Sequence, residues 1–497
     1  MGIRSLLAKP LAWYVCRQHR RYTQNAVHYQ LQTLRRMVQR AAGSAFGKDH
    51  NLASVNDYES FKAAVPIRDY EAMRPYIDRV VAGEPEVLWP GKPLYLAKTS
   101  GTTSGVKYIP ISRQSISNHI NGARDALLHY INATGNSAFL DRKLIFLSGS
   151  PELVKKNGIL VGRLSGISNH HVPAYLRSNQ LPTWHTNCID DWEQKLDQIL
   201  DETIGQDMGL ISGIPPWVQM YFDRLHARTG KPAGEAFPNF SLFVYGGVNF
   251  EPYRQKLMAS IGRPVHSVEL FPASEGFFAF QDRPGKEGML MQVNSGIFYE
   301  FIPADECNQA NPTRLHIGQV EAGKTYSLVV SNTAGLWAYA IGDLVRFVST
   351  KPPRVVVAGR TSHFISAFGE HVIGCEVEGA LKDVLIQFPG VSVTEFTVAP
   401  QVSPADGLPH HEWFIEFDTP PANLPAFERA LDNYLQKRNI YYADLKEGNI
   451  LDTLRIASLP KGTFAAMMRK EGKLGGQNKV PRLSNDRRLA TKLEQPG

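Results

Sequence analysis

The sequence predicts an α/β chain: a large N-terminal domain of mixed β-sheets with flanking helices, followed by a small C-terminal α/β domain. Three observations lead there. At 497 residues the chain exceeds what one ordinary core organises. Between residues 143 and 271, short β-rich apolar runs alternate with helical stretches, the texture of βαβ units and a mostly parallel sheet. From about 289 to 348 strand follows strand, which reads as antiparallel sheet, and the polar connector "STKPPR" (349–354) then introduces a tail with its own strands and helices. The predicted domains are 1–352 and 353–497.

Taken in order, residues 1–45 and 56–82 carry mostly helical patterns, with Pro10 interrupting the first. The segment "PIRDYEAMRPYIDRVVAG" ends in Gly83, a C-cap signal. "LYLAK" and "YIPIS" read as short strands around the hydroxyl-rich stretch "TSGTTSGVK" (99–107), and residues 112–133 read as a helix. The strands "KLIFLSG" (143–149), "LISGIP" (210–215), "LFVYGG" (242–247) and "VHSVELF" (265–271) follow, with helices over 190–203 and 216–229. "GIFYEFIP", "YSLVVSN" and "WAYAIGDLVRFV" make up the antiparallel region.

Composition sets limits. Apolar residues make up 43% and charged residues 20%, as in globular proteins. No run of about 18 apolar residues occurs, so no membrane-spanning helix is expected. Cys16, Cys188, Cys307 and Cys375 lie far apart, without a C-x-x-C pair, which suits a reducing cytoplasm. The net charge of +7 is concentrated: residues 1–48 hold nine Lys/Arg and no acid. With no interleaved aromatic stripe or nucleic-acid motif, a nucleic-acid partner is not expected. The opening "MGIRSLLAKPLAWYVCRQHRR" resembles organelle-targeting segments in composition and could lie on an anionic membrane surface; an amphipathic helix packed on the body is the favoured reading.

Two stretches compete as a phosphate loop. "GQVEAGKT" (318–325) fits the Gly-x4-Gly-Lys-Ser/Thr spelling. That loop must open a helix to aim its backbone N–H groups at phosphates, whereas here a strand-like run follows. "EAGK" reads instead as a hairpin turn with Lys324 in solvent. "TSGTTSGVK" sits between apparent strands of one domain, where a linker of that composition is out of place. Its small residues and hydroxyls can wrap a triphosphate, with Lys107 adding charge.

With that loop, further motifs fall into a known order. "TSGTTSGVK", "YGGVNFEP" (245–252), "FPASEG" (271–276), "YAIGD" (339–343), "GRTSHFISAFGEHVIGCEVE" (359–378) and "QNKVPR" (477–482) together resemble the signatures of acyl-adenylate-forming enzymes. Pro272, Ser274 and Ala340 depart from the superfamily pattern. "VPIRDYEAMRPYIDRVVAGE", "TSGTTSGVKYIP", "GLWAYAIGD" and "QNKVPR" resemble more narrowly the Gretchen Hagen family, auxin-responsive acyl acid amido synthetases of plants with bacterial relatives. The resemblance spans roughly residues 25–490. The family's Asp-Lys-Thr run after the hinge is not visible in "ISAFGEHV".

The resemblance implies activation of a carboxylic acid by ATP with release of pyrophosphate, then transfer of the acyl group to an amino acid or other amine. It implies ATP and Mg²⁺ as cofactors. Because one anion must approach a polyanion, the chemistry needs cations and oriented donors where charge develops. Ser100, Thr102 and Thr103 are implied at the phosphates, and Gly247, Val248 and Ser274 around the nucleotide. Glu275 is implied as the catalytic carboxylate that holds Mg²⁺, a hard cation suited to oxygen ligands; the alternative is a capping or surface glutamate. Asp343 would accept hydrogen bonds from ribose hydroxyls, or be a turn residue after Gly342. Arg360 adds a ribose or phosphate contact, or is a surface residue near the hinge. Of the tail lysines, Lys473 and Lys479, family spacing selects Lys479 as the catalytic cation at the α-phosphate. Arg124 matches where relatives contact the acyl carboxylate; the alternative is a solvated helix arginine. The His pairs in "NHHV" and "PHHE" lack zinc-site spacing, so Mg²⁺ is the one metal expected. Two other readings stand beside this one: an acyl-CoA ligase sharing the first step, and a non-catalytic nucleotide-binding protein. CoA-forming relatives commonly carry Lys where Ser366 stands, which favours the amide.

Overall fold

In a computed structural model of the chain, the described residues are 2–100, 106–189, 191–247, 250–307, 309–360, 364–365, 372–402, 404–448, 450–473, 479–484 and 487–494. The chain divides into two compact units. One comprises residues 1–247 with 260–356, the other 248–259 with 357–497.

The larger unit is built on a mixed sheet. Four strands, Lys143–Phe146, Met208–Ser212, Leu242–Gly246 and His266–Ala273, run parallel and side by side. Their middles are continuous apolar runs, with Leu210, Ile211, Leu242, Phe243 and Val268 all buried. Strands covered on both faces need no polar alternation. From His266–Ala273 onward the sheet turns antiparallel, through Gly276–Phe280, Met289–Met291 and Pro353–Arg360 to Tyr339–Thr350, Thr325–Asn332 and Ile297–Pro303. A separate four-stranded sheet holds the antiparallel pair Tyr95–Ser100 and Val106–Ile111.

Two sequence expectations change. The first helix is not interrupted at Pro10 and runs unbroken over Ile3–Gln24. Pro10 lies on its exposed side, so the carbonyl it leaves without an N–H donor is on the solvent side of the helix. The opposite side, with Ser5, Ala8, Ala12, Val15 and Cys16, is buried. Ala8, Ala12 and Val15 share a cluster with Ala126, Tyr130 and Phe139. The second change concerns "GQVEAGKT". It is indeed a turn, with Lys324 exposed and paired to Glu321 at 2.8 Å. It does not close a hairpin, because Leu315–His316 pairs with Ile297–Pro303 rather than with the following strand.

The "PIRDY" stretch has a structural task that its helical pattern conceals. Asp69 caps the helix Tyr70–Val81 by accepting from Ala72 N–H at 2.9 Å. One residue earlier, the main chain of Arg68 brackets Ala338: Arg68 N–H donates to Ala338 O (3.0 Å), and Ala340 N–H donates to Arg68 O (2.8 Å). Ala338 adopts φ +43°, costly for a residue with a Cβ. These bonds, with the buried Trp337 Nε1 donating to Leu88 O at 3.1 Å, hold it there.

The helix Ile116–Thr134 buries His119 and His129. Burial pushes each imidazole down to about 4; for His129 the neighbouring His19 and other charged groups contribute less. Between that value and the ordinary 6.5, the unfolded chain binds a proton that the folded chain refuses. Stability is therefore present above pH 6.5 and lost as pH falls through 6.5 toward 4. We expect roughly 2 kcal/mol lost per histidine between pH 7 and pH 5. Urea denaturation at the two pH values checks this, and His119→Gln should flatten its share of the slope.

The smaller unit packs the helices Gly374–Gln387 and Leu424–Arg438 around a three-stranded sheet of Ser392–Gln401, His410–Thr419 and Arg455–Leu459. Trp413 and Phe396 stack at its centre, 5.7 Å between rings.

Candidate active site

Nucleotide sites in open α/β sheets lie beyond the C-terminal ends of parallel strands. The strand Leu242–Gly246 ends there, and the next parallel strand leads into a tight connection at Ser274–Glu275. Gly246 pairs with Leu270, and an added Cβ would come within 2.6 Å of Leu270 O. Only glycine lets these backbones approach so closely. Gly247 follows with φ +84° and is exposed.

Glu275 and Ser274 share the tip between His266–Ala273 and Gly276–Phe280, both half-buried. The tip is braced from two sides. Asn332, the last residue of Thr325–Asn332, donates its side-chain amide to Glu275 O at 2.7 Å. Its Oδ1 accepts from Ala334 and Leu336 N–H at 2.9 and 3.1 Å, so the amide's orientation is fixed. Asn118 grips the next residue but one: Oδ1 accepts from Phe277 N–H at 2.7 Å, and Nδ2 donates to Phe277 O at 3.1 Å. Sequence reading missed both residues. Asn332 reads as a strand stop, and Asn118 as one polar residue of a helix; nothing local in either pattern signals a brace.

Asp343 stands in a bulge. Ser327 pairs with Leu344 and Val329 with Ala340, so Ile341, Gly342 and Asp343 oppose the single residue Leu328. Gly342 takes φ +82°, which the bulge requires. Asp343 is thereby lifted from the regular ladder and left half-buried. Through the Asn332 brace, the strand before this bulge is tied to the Glu275 tip. Gly247, Ser274 and Glu275 thus lie at adjoining strand ends of one sheet, and Asp343 stands on another strand of the same sheet.

The other predicted residues are placed elsewhere. Ser100 closes the strand Tyr95–Ser100 in the four-stranded sheet, paired with Val106. Thr102, Thr103, Val248 and Ser366 lie outside the described residues. The Lys107 ammonium sits 5.2 Å over the Tyr70 ring. Arg124 is half-exposed and engaged: Nε and Nη2 donate to Asp125 Oδ1 at 2.8 and 2.7 Å. The other oxygen of Asp125 lies 3.3 Å from His19 of the first helix.

Arg360 ends the strand Pro353–Arg360, its end within the smaller unit. In the same unit Lys473 pairs with Glu471 at 2.6 Å. Lys479 is exposed and begins an anchored segment. Val398 N–H donates to Arg482 O (3.0 Å), Ser484 N–H to Val398 O (2.9 Å), and Thr397 Oγ1 to Pro481 O (2.7 Å). Arg482 also pairs with Glu378 and Glu395. The tail lysine is therefore not on a loose end.

A magnesium ion fits this set in one way. Among the described residues no three His, Cys, Asp or Glu converge as a metal cage. One carboxylate plus phosphate oxygens and water is how Mg²⁺ is commonly held, and Glu275, half-buried at the tip, would be such a carboxylate.

Known proteins match most of the chain. Models of the GH3 family N-terminal, central and C-terminal domains match residues 15–200, 290–360 and 376–488, in that order. The chain is 23% identical to the jasmonoyl-L-amino acid synthetase GH3.5 of Oryza sativa subsp. japonica over 93% of both chains. It is 23% identical to the jasmonoyl-L-amino acid synthetase JAR4 of Nicotiana attenuata over 93% of this chain and 91% of that one. Among solved structures, AtGH3.15 acyl acid amido synthetase in complex with 2,4-DB matches with a TM-score of 0.80 at 17% identity, covering 97% of this chain and 96% of that one. A 2-hydroxyisobutyryl-CoA ligase matches at 0.63 with 14% identity, covering 94% and 90%. The structural matches show that the chain shares the fold of these synthetase and ligase structures. Three domain models of one family, in order along most of its length, establish that the chain belongs to the GH3 family.

Proposed function

We propose that this chain is an ATP-dependent ligase that activates a carboxylic acid as its acyl-adenylate and passes the acyl group to the amine of an amino acid. The observation that carries the reading is the braced carboxylate tip of Glu275 beside the Gly246–Gly247 strand end, in a chain of this family. In the first step a carboxylate oxygen attacks the ATP α-phosphorus, the bond to the β-phosphate oxygen breaks, and pyrophosphate leaves. In the second, the amine attacks the activated carbonyl, AMP departs, and the ammonium proton goes to solvent. Magnesium, when bound, neutralises phosphate charge. Glu275 would hold it, and Asn332 fixes the main chain at Glu275. Ser100, Thr102 and Thr103 donate to the phosphates, and Gly247, Val248 and Ser274 line the nucleotide. Asp343 and Arg360 take the ribose, and Lys479 supplies the cation at the α-phosphate. For Arg124 to take the acyl carboxylate, it must exchange Asp125 for substrate. The domains 1–352 and 353–497 act as body and lid, the lid bringing Lys479 in for the first step. The spacing of the cysteines supports a cytoplasmic enzyme.

ATP–pyrophosphate exchange across a panel of aromatic, jasmonate-like and fatty acids tests the first step. The product mass with amino acids or with CoA then separates amide from thioester formation. Exchange with no acid would remove the proposal.

The brace gives a sharper prediction. Asn332→Asp keeps the acceptor for Ala334 and Leu336 but sets a carboxylate against Glu275 O. We expect kcat for exchange to fall about 10- to 100-fold, with a higher Mg²⁺ half-saturation and a nearly unchanged ATP affinity. A magnesium titration of variant and parent reads both effects.

A further inference from the structure

The first helix is amphipathic twice over. Its inner side packs on the body through small residues, as described. Its outer side should then be polar, and over its first half it is not. Six of the large apolar side chains exposed among the described residues fall within the first fourteen positions: Ile3, Leu6, Leu7, Leu11, Trp13 and Tyr14. The exposure is substantial, from 77% at Ile3 and 64% at Leu6 and Leu7 to 58% at Trp13 and 55% at Tyr14. The spacing 3, 6, 7, 13, 14 keeps five of them, with Pro10, on one helix face, and Leu11 borders it. Continued along the helix, that stripe becomes cationic, with Arg17 and Arg21 in line and Lys9 and Arg20 beside it, all exposed. The Arg17 guanidinium lies 5.3 Å over the Trp13 ring.

We infer that this face docks on a membrane surface bearing anionic lipid. The helix does not span the bilayer, since no helix among the described residues is long and apolar enough for that. It lies in the interface with its packed side toward the protein. Three features select this partner. A single helix ridge is convex and offers a protein partner no pocket for an anchor side chain, whereas a bilayer deforms around it. Tryptophan and tyrosine flanking aliphatic residues suit the headgroup boundary, where one end of each ring is wet. The charge is complementary: residues 1–48 carry no acid, so a second copy of this helix would set cations near cations, whereas phosphate headgroups neutralise them. Long basic side chains reach headgroups while their stems cover apolar surface.

The test is sedimentation of the full chain with vesicles of phosphatidylcholine alone or mixed with phosphatidylglycerol, for the parent and a Leu7→Glu/Trp13→Glu variant. Both substituted residues are exposed and outside the proposed catalytic groups, so the variant should keep its denaturation midpoint and its pyrophosphate exchange. We expect about tenfold or more binding to the anionic over the neutral vesicles, weakened by salt and lost in the variant. Absence of binding to anionic vesicles overturns the inference, as does equal binding by the variant. Light scattering that shows a dimer dissolved by the variant, without vesicle binding, assigns the face to a second copy instead and also overturns it.

Discussion

Lys479→Ala should lower ATP–pyrophosphate exchange about 10²- to 10³-fold while ATP binding persists. The α-phosphate gathers negative charge as the acyl carboxylate attacks it, and one oriented cation there is worth several kcal/mol to the transition state and little to the ground state. Lys479 is exposed, so the substitution should cost almost no stability, and lost exchange would not report unfolding. The anchor through Val398, Thr397 and the Arg482 ion pairs does not depend on the lysine side chain. A synthetic acyl-adenylate offered to the variant with an amino acid should still give amide, because the second step has no pentavalent phosphorus to stabilise. Exchange at the parent rate would take Lys479 out of the mechanism. Loss of both steps would move it from phosphate chemistry to positioning of the acyl-adenylate.

Arg314→Met should produce the largest loss of stability among single substitutions in the larger unit, about 3–5 kcal/mol. Glu300 is fully buried in the middle of Ile297–Pro303, where nothing but its partners supports a charge. Arg314 meets it in a two-pronged pair, Nε to Oε1 at 2.9 Å and Nη2 to Oε2 at 3.0 Å, and Tyr58 donates to Oε1 at 3.1 Å. Burial pushes the Glu300 carboxyl up, and Arg314 pulls it back toward ionisation. Arg314 Nη1 also donates to the carbonyls of Val65 and Lys62, at 2.6 and 3.2 Å, tying the helix Tyr58–Ala64 to the sheet. Its loss strands a carboxylate and two carbonyls at once. Urea midpoints with an unchanged slope measure the effect. A Glu300→Leu/Arg314→Met double variant should recover part of it, because two apolar groups leave no charge unsatisfied. Equal losses in single and double variants would show that the cost is packing rather than charge.

Much of the architecture is legible from local pattern. The parallel strands announce themselves as short apolar runs ending in Gly or Pro, since a strand covered on both faces has no reason to alternate. The false phosphate loop at 318–325 is also readable, because the physics asks for a helix and the residues after it are β-branched. Legibility stops where partners are far apart in sequence. Asn118 and Asn332 act on Phe277 and Glu275, and Arg68 on Ala338; each pairing is a product of the fold. The bulge at Ile341–Asp343 hides because its Gly-Asp pair is common in ordinary turns. Pro10 misleads for a related reason: whether proline breaks a helix depends on which side it occupies, and that is set by the helix 116–134, over a hundred residues away. The residues proposed for the nucleotide rest on the family resemblance rather than on pattern, because a single Glu or Lys carries no periodic signal.

The way Asn332 holds the Glu275 tip separates shape from reactivity. It grasps a peptide carbonyl, which every amino acid at 275 possesses, so this bond does not depend on the side chain there. On the role proposed for Glu275, replacement at that one position should silence the reaction while the bond from Asn332 to the tip remains. A Glu275→Gln protein should retain the parent geometry and serve as a stalled form for trapping acid and nucleotide together. The same independence gives descendants of this fold room to exchange one chemistry for another without rebuilding the ground beneath it.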